Sequence, residues 1–120
     1  VGELLDKISI LEIKQEKIKD AKNLKFIKDE YSILKAELDR NIKTDEKLKN
    51  LFNSLKEINS KLWVIEDNKR MCEKNSDFGE NFIKLSRDVH FLNDERAKIK
   101  LEINNLTRSK IKEIKEYTNY

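Results

Sequence analysis

The stretch that decides the fold is residues 48–72, LKNLFNSLKEINSKLWVIEDNKRMC. Apolar side chains recur here at alternating spacings of three and four, the pattern of one face of a long amphipathic helix. They are Leu48, Leu51, Leu55, Ile58, Leu62, Ile65 and Cys72, with Lys69 in the remaining position. Because neither Pro nor Gly interrupts the pattern, we predict a helix over residues 45–74.

A second stretch with the same spacing follows and predicts a helix over residues 78–116. Its stripe is Phe82, Leu85, Val89, Leu92, Ile99, Ile103 and Leu106, with Arg96 where an apolar residue is due. The short connection predicts an antiparallel hairpin, and the 3.5-residue period predicts coiled-coil packing. Arg96 would then lie opposite Ile58, and a buried arginine needs a partner. The candidate carboxylates are Glu57, Glu66, Asp6 and Glu12.

Two shorter helices are predicted in the first third of the chain, over residues 2–20 and 22–40. The first has apolar residues on more than one face, which predicts that neighbouring helices cover it on two sides. The second carries a main stripe and a thinner one formed by Phe26 and Ile33. The predicted fold is therefore all-α: an elongated antiparallel bundle, or coiled-coil hairpin, of four helices in one domain, residues 1–120.

Composition supports this fold class and argues against several functions. Charged residues make up 41% of the chain, there is no Pro, and the net charge of +3 arises from the last third. Acidic residues are interleaved throughout, so we do not expect nucleic-acid binding. No apolar run is long enough to span a membrane, and a single Cys fits a reducing compartment, so we expect a cytoplasmic protein. Because the chain begins at Val1 without Met, we expect the native protein to extend further.

Polar residues cluster along the central half of the hairpin and form the candidate ligand site. With Glu12 from the first helix, the set is Glu66, Asp67, Arg70, Arg87, Asn93, Asp94, Arg96 and Lys100. Functionally, such a cluster could hold an anionic small molecule; structurally, it could be an ion-pair network that fixes helix register. We favour the register interpretation. We predict no catalytic residues, metal or cofactor, because neither a triad pattern nor a set of metal ligands is visible.

Apolar residues outside the main stripes of the predicted helices suggest contact with another protein chain. The interface candidates are Ile10, Ile13, Phe26, Ile33 and Trp63. Exposed apolar patches usually mark contacts, so we expect a homodimer or docking to another protein partner. The alternatives are a small binder or enzyme for an anionic molecule, and a weak nucleic-acid binder. The latter would use the basic residues of the last helix, Lys98, Lys100, Arg108, Lys110, Lys112 and Lys115.

The chain resembles a family of short, uncharacterised helical proteins of marine bacteria and phages, a domain of unknown function. The resemblance rests on the opening VGELLDKISILEIK at residues 1–14, on Leu62-Trp63 with Glu66-Asp67 and Arg70, on Asp77-Phe78-Gly79, and on residues 87–96. It implies a helical domain that is sometimes adjacent to glycosyltransferase domains. It assigns no activity and no catalytic residue.

Overall fold

Four helices account for nearly the whole chain in the computed structural model, which describes the backbone of residues 1–118 and the side chains of residues 1–108. They are α1 (Gly2–Lys17), α2 (Ala21–Asn41), α3 (Glu46–Lys74) and α4 (Glu80–Thr118). The described part of the chain contains no strand, which confirms the predicted all-α class.

The helices end where local hydrogen bonds favour another conformation. The first was predicted to reach residue 20, but it stops at Lys17, because Ile18 is extended and Asp20 caps α2 through the amide of Lys22. Asp45 caps α3 by accepting from the amide of Leu48 at 2.9 Å. The last helix begins two residues after the approximate start expected at residue 78. The Asp77 carboxylate accepts from the amide of Gly79, so α4 begins at Glu80.

The hairpin of α3 and α4 is the frame on which the other helices pack. The two helices are joined by residues 75–79 and contact each other along their length, in antiparallel orientation. Helix α1 contacts all three other helices, which confirms that it is covered from more than one side. Helix α2 packs mainly on α1, and its Leu38 joins the core residues of α3. The supercoil predicted from the 3.5-residue period stays a prediction.

One apolar core joins the four helices at the open end of the hairpin. Its buried members are Leu5 and Ile8 of α1, Leu38 of α2, Leu48 and Leu55 of α3, and Ile103 of α4. The chain extends over 65 × 34 × 18 Å with a radius of gyration of 17.6 Å. A compact chain of this length would have a radius of gyration of about 14 Å, so the bundle is elongated, as predicted.

Candidate functional site

The Asp6 carboxylate is the centre of a buried polar network between α1, α3 and α4. Asp6 is 3% exposed. Its Oδ1 accepts from Arg96 Nε at 2.9 Å and from Asn59 Nδ2 at 2.9 Å, and its Oδ2 pairs with Arg96 Nη2. Asn59 also donates to Ser9 Oγ at 2.8 Å, and Ser9 donates to the backbone oxygen of Asp6. Arg96 is thus held in a two-pronged ion pair by one of the carboxylates predicted for it.

The electrostatics of this network keep both partners charged. Burial by itself would raise the pKa of Asp6, but the hydrogen bonds from Arg96 and Asn59 and the nearby positive charges outweigh it. The pKa of Asp6 therefore lies below its ordinary value. The hydrogen bond to Asp6 in turn raises the pKa of Arg96. The network thus keeps a charged pair inside the bundle without leaving either group unpaired.

The first turn of α1 is fixed to α4 by two further contacts. Lys100 forms an ion pair with Glu3 and lies 3.9 Å from Asp6 Oδ2. The amide of Gly2 donates to Asn104 Oδ1 at 2.8 Å. A Cβ at Gly2 would lie 2.8 Å from the backbone oxygen of Lys100, so only glycine allows this close approach.

A second polar cluster joins α1 to α2 and α3. Lys56 Nζ lies 3.2 Å from Glu12 and 3.0 Å from Glu16, and the Tyr31 hydroxyl donates to Glu12 at 3.4 Å. The hydrogen bond to Glu16 is the main cause of the raised pKa of Lys56. Burial, with the neighbouring Glu12, raises the pKa of Tyr31. Glu12 therefore belongs to this cluster and not to the Arg96 network.

A cleft of about 330 Å³ opens beside the Asp6 network, between α1, α3 and α4. This volume is at the lower end of the range for small-molecule sites. Its walls combine apolar side chains with amides and charged groups. The lining residues are Ile10, Ile13, Asn59, Leu62, Trp63, Glu66, Asp67, Arg70, Asn93 and Arg96.

The structure brings together part of the predicted polar cluster. Glu66, Asp67, Arg70, Asn93 and Arg96 line the cleft. The others lie elsewhere. Arg87 lines a shallow depression on α4 with His90, Asp94 pairs with His90 at 3.6 Å on an exposed surface, and Lys100 pairs with Glu3. Three cations of the predicted cluster therefore do not line one common cleft: Arg87, Arg96 and Lys100. Within the cleft lining, Arg70 pairs with Asp67 at 3.3 Å.

The predicted interface residues fall into two groups. Phe26 and Ile33 are 66% and 68% exposed on the outer face of α2. Ile10 and Trp63 are partly buried and line the cleft. Ile13 is only 1% exposed, so placing it on a free surface of α1 was wrong, because this side chain is buried inside the bundle.

The sequence-based prediction missed how the first helix packs on the hairpin. Gly2 and Ser9 had no role in it, and Asp6 was one of four candidate partners of Arg96. Gly2, Asp6, Ser9 and Ile13 form a stripe at spacings of four, three and four along α1. Small and polar residues at helical spacing indicate close helix packing with hydrogen bonds, and this signal could have identified the α4-facing side. No comparable signal marks Lys56 or Asn59, although Asn59 directly follows Ile58 of the apolar stripe of α3.

Comparison with known proteins places the chain in a family. A profile described as "Family of unknown function (DUF6165)" matches residues 1–120. The chain belongs to this family. Searches of curated proteins and of solved structures found no match. Membership of DUF6165 agrees with the resemblance to an uncharacterised helical family and adds no activity.

The described residues contain neither a cluster of metal ligands nor a helix suited to crossing a membrane. No group of three or more His, Cys, Asp or Glu side chains there could hold a metal ion. In the same part of the chain, none of the helices has the length and apolar character that crossing a membrane requires.

Proposed function

We propose that this DUF6165 protein is a helical interaction module that self-associates through the end of its hairpin. We call this end the distal hairpin and define it as residues 60–92. The observation that carries the proposal is its exposed apolar surface. Among the described side chains, the large apolar ones exposed there are Val64 (49%), Met71 (53%), Phe78 (56%), Ile83 (56%) and Phe91 (55%).

This surface is exposed because α1 is much shorter than the hairpin. The contacts of α1 with α4 run from Asn104 to Arg96, and the cleft beside them ends at Asn93. The 16 residues of α1 span about 24 Å, whereas the 29 residues of α3 span about 44 Å. A two-helix hairpin has too little core of its own, so a covering partner would stabilise the distal hairpin.

A groove between α3 and α4 supports a second copy as that partner. It lies on a side of the hairpin that α1 does not line, with Val64, Ile65, Phe91 and Leu92 among its walls. Charges of both signs are present at its edge, where Glu57 pairs with Lys61 at 3.7 Å. An edge with both signs can complement itself across a twofold axis, as symmetric dimers require. Two distal hairpins packed in this way would form a four-helix bundle.

Light scattering after size exclusion, over a range of protein concentrations, tests this proposal. We expect a dimer for the natural sequence and a monomer for the double variant Val64→Lys with Phe91→Lys. The matched control is Phe26→Lys with Ile33→Lys, which places the same charges on equally exposed apolar side chains of α2. Circular dichroism would verify that both variants keep their helix content.

The outcomes separate the possible interfaces. Dissociation by the α2 variant alone would move the interface to Phe26 and Ile33. A natural chain that stays monomeric at the highest concentration would contradict self-association altogether. A complex that forms only with an added protein would replace the homodimer with a different partner.

Three further statements belong to this proposal, supported by composition and by the family resemblance. The protein acts in the cytoplasm, comes from a marine bacterium or phage, and belongs to a family whose members are sometimes adjacent to glycosyltransferase domains. Localisation of a tagged chain tests the first statement. The genes adjacent to those of family members test the other two.

A further inference from the structure

We propose that the cleft between α1, α3 and α4 binds a small organic cation, an alkylammonium or alkylguanidinium with a short apolar body. The cleft shares residues 62–70 of α3 with the distal hairpin, but it opens on the side that α1 lines with Ile10 and Ile13, and its lining shares no residue with the groove formed by Val64 and Phe91. It also changes the class of ligand, because the sequence alone suggested an anion.

The charges that line the cleft decide the sign of the ligand. Arg70 is neutralised by Asp67 at 3.3 Å. Arg96 is neutralised by the two-pronged pair with Asp6. Glu66 is half-buried and, among the described residues, has no ion-pair or hydrogen-bond partner. One negative charge is therefore left uncompensated in the cleft, and it favours a cation.

The remaining lining residues fit the other parts of such a ligand. Trp63 lies three residues before Glu66, so both side chains project from one side of α3. An indole close to a carboxylate attracts a cation through its π-electrons as well as through the charge. Ile10, Ile13 and Leu62 provide apolar contacts for a short hydrocarbon body. A volume of about 330 Å³ accommodates a molecule of this size.

The single tryptophan of the chain provides the assay, since Trp63 lines the cleft and a ligand bound there would change its emission. Pentylammonium and butylguanidinium would be titrated at millimolar concentrations, with excitation where tyrosine does not absorb. We expect a saturable change in emission. Pentanol and pentanoate, which have similar bodies and no positive charge, should bind at least tenfold more weakly. Ligand-observed NMR on the same samples provides a second readout.

Glu66→Gln is the decisive variant, because it removes the charge and keeps the shape. We expect it to weaken binding of the cations by roughly tenfold or more, the usual effect of losing a charged hydrogen bond. The matched control is Glu73→Gln, an exposed glutamate of the same helix that lines neither the cleft nor the groove. It should leave binding unchanged.

Four results would overturn the inference. No saturable signal by either readout would exclude the site, and equal binding of pentanoate would exclude the cation preference. Unchanged binding to Glu66→Gln would exclude Glu66 as the anchor. Tighter binding of N-acetyl-lysine methylamide than of pentylammonium would point to a protein side chain in place of a free small molecule. None of these results depends on whether the chain is a monomer or a dimer.

Discussion

Replacing Asp6 with Ala should destabilise the bundle by about 3 kcal/mol. Breaking a buried ion pair by removing one partner typically costs roughly 3–5 kcal/mol. The value for Asp6 should be at the lower end, because the Arg96 side chain is 29% exposed and can recover part of its hydration. Asn59 would keep its hydrogen bond to Ser9. Since a domain of this size is stable by about 5–15 kcal/mol, the variant should still fold.

A double-mutant cycle with Arg96→Leu isolates the interaction itself. Arg96→Leu alone should also destabilise, because it leaves the Asp6 carboxylate buried without its main partner. The double variant should cost less than the sum of the two, with a coupling of roughly 1–3 kcal/mol. Urea denaturation followed by circular dichroism measures all three changes. If the effects of the two single substitutions add up to that of the double variant within about 0.5 kcal/mol, the ion pair is not the element that holds α1 on the hairpin.

Three other predictions concern the stability in acid, the close approach at Gly2 and the apolar core. Because the pKa of Asp6 is lower in the folded than in the unfolded chain, its contribution to stability should be complete above the ordinary value of 3.8. This contribution should be lost as the pH falls below that value. Urea unfolding at several pH values measures the loss, and the free energy of unfolding of Asp6→Ala should fall less with acid than that of the natural sequence. Gly2→Ala should destabilise the protein by about 1–3 kcal/mol, because the added Cβ would clash with the backbone of α4, and this outweighs the better helix propensity of Ala. The control Gly79→Ala should change stability little, because its Cβ would meet only ordinary contacts. Thermal unfolding of both variants measures the difference. Leu55→Ala, at a fully buried position, should cost about 2–5 kcal/mol in urea unfolding, and Leu101→Ala, at a 60% exposed position, less than about 0.5 kcal/mol.

The hairpin could be predicted from the sequence because its signal is local and repeated. Seven-residue spacing over residues 48–72 and 82–106 defines two long helices, and a short connection allows only an antiparallel return. The helix ends were harder to predict. Asp20 and Asp77 each bind nearby amides, and which residue caps a helix depends on hydrogen bonds that several local sequences can form.

The site could be predicted only in part, because it depends on how α1 packs on the hairpin. The need for a carboxylate opposite Arg96 follows from electrostatics, but choosing Asp6 over Glu12 requires the position of α1. The same information decides that Ile13 is buried. Contacts between residues about 90 positions apart carry no local sequence signal.

The Arg96 network also explains why the two ends of the hairpin would accept different partners. Between Arg96 and Lys100, the α1-facing side of α4 carries two cations that only a helix with carboxylates can cover without leaving a buried charge unpaired. Helix α1 supplies Asp6 and Glu3 at this level. An apolar surface from a second copy would be disfavoured there, because it would leave these two cations buried without partners. Charged groups make helix packing specific in this way. On the proposed function, the ion pairs therefore reserve one end of the hairpin for α1 and leave the distal hairpin, with its exposed apolar side chains, for the second copy.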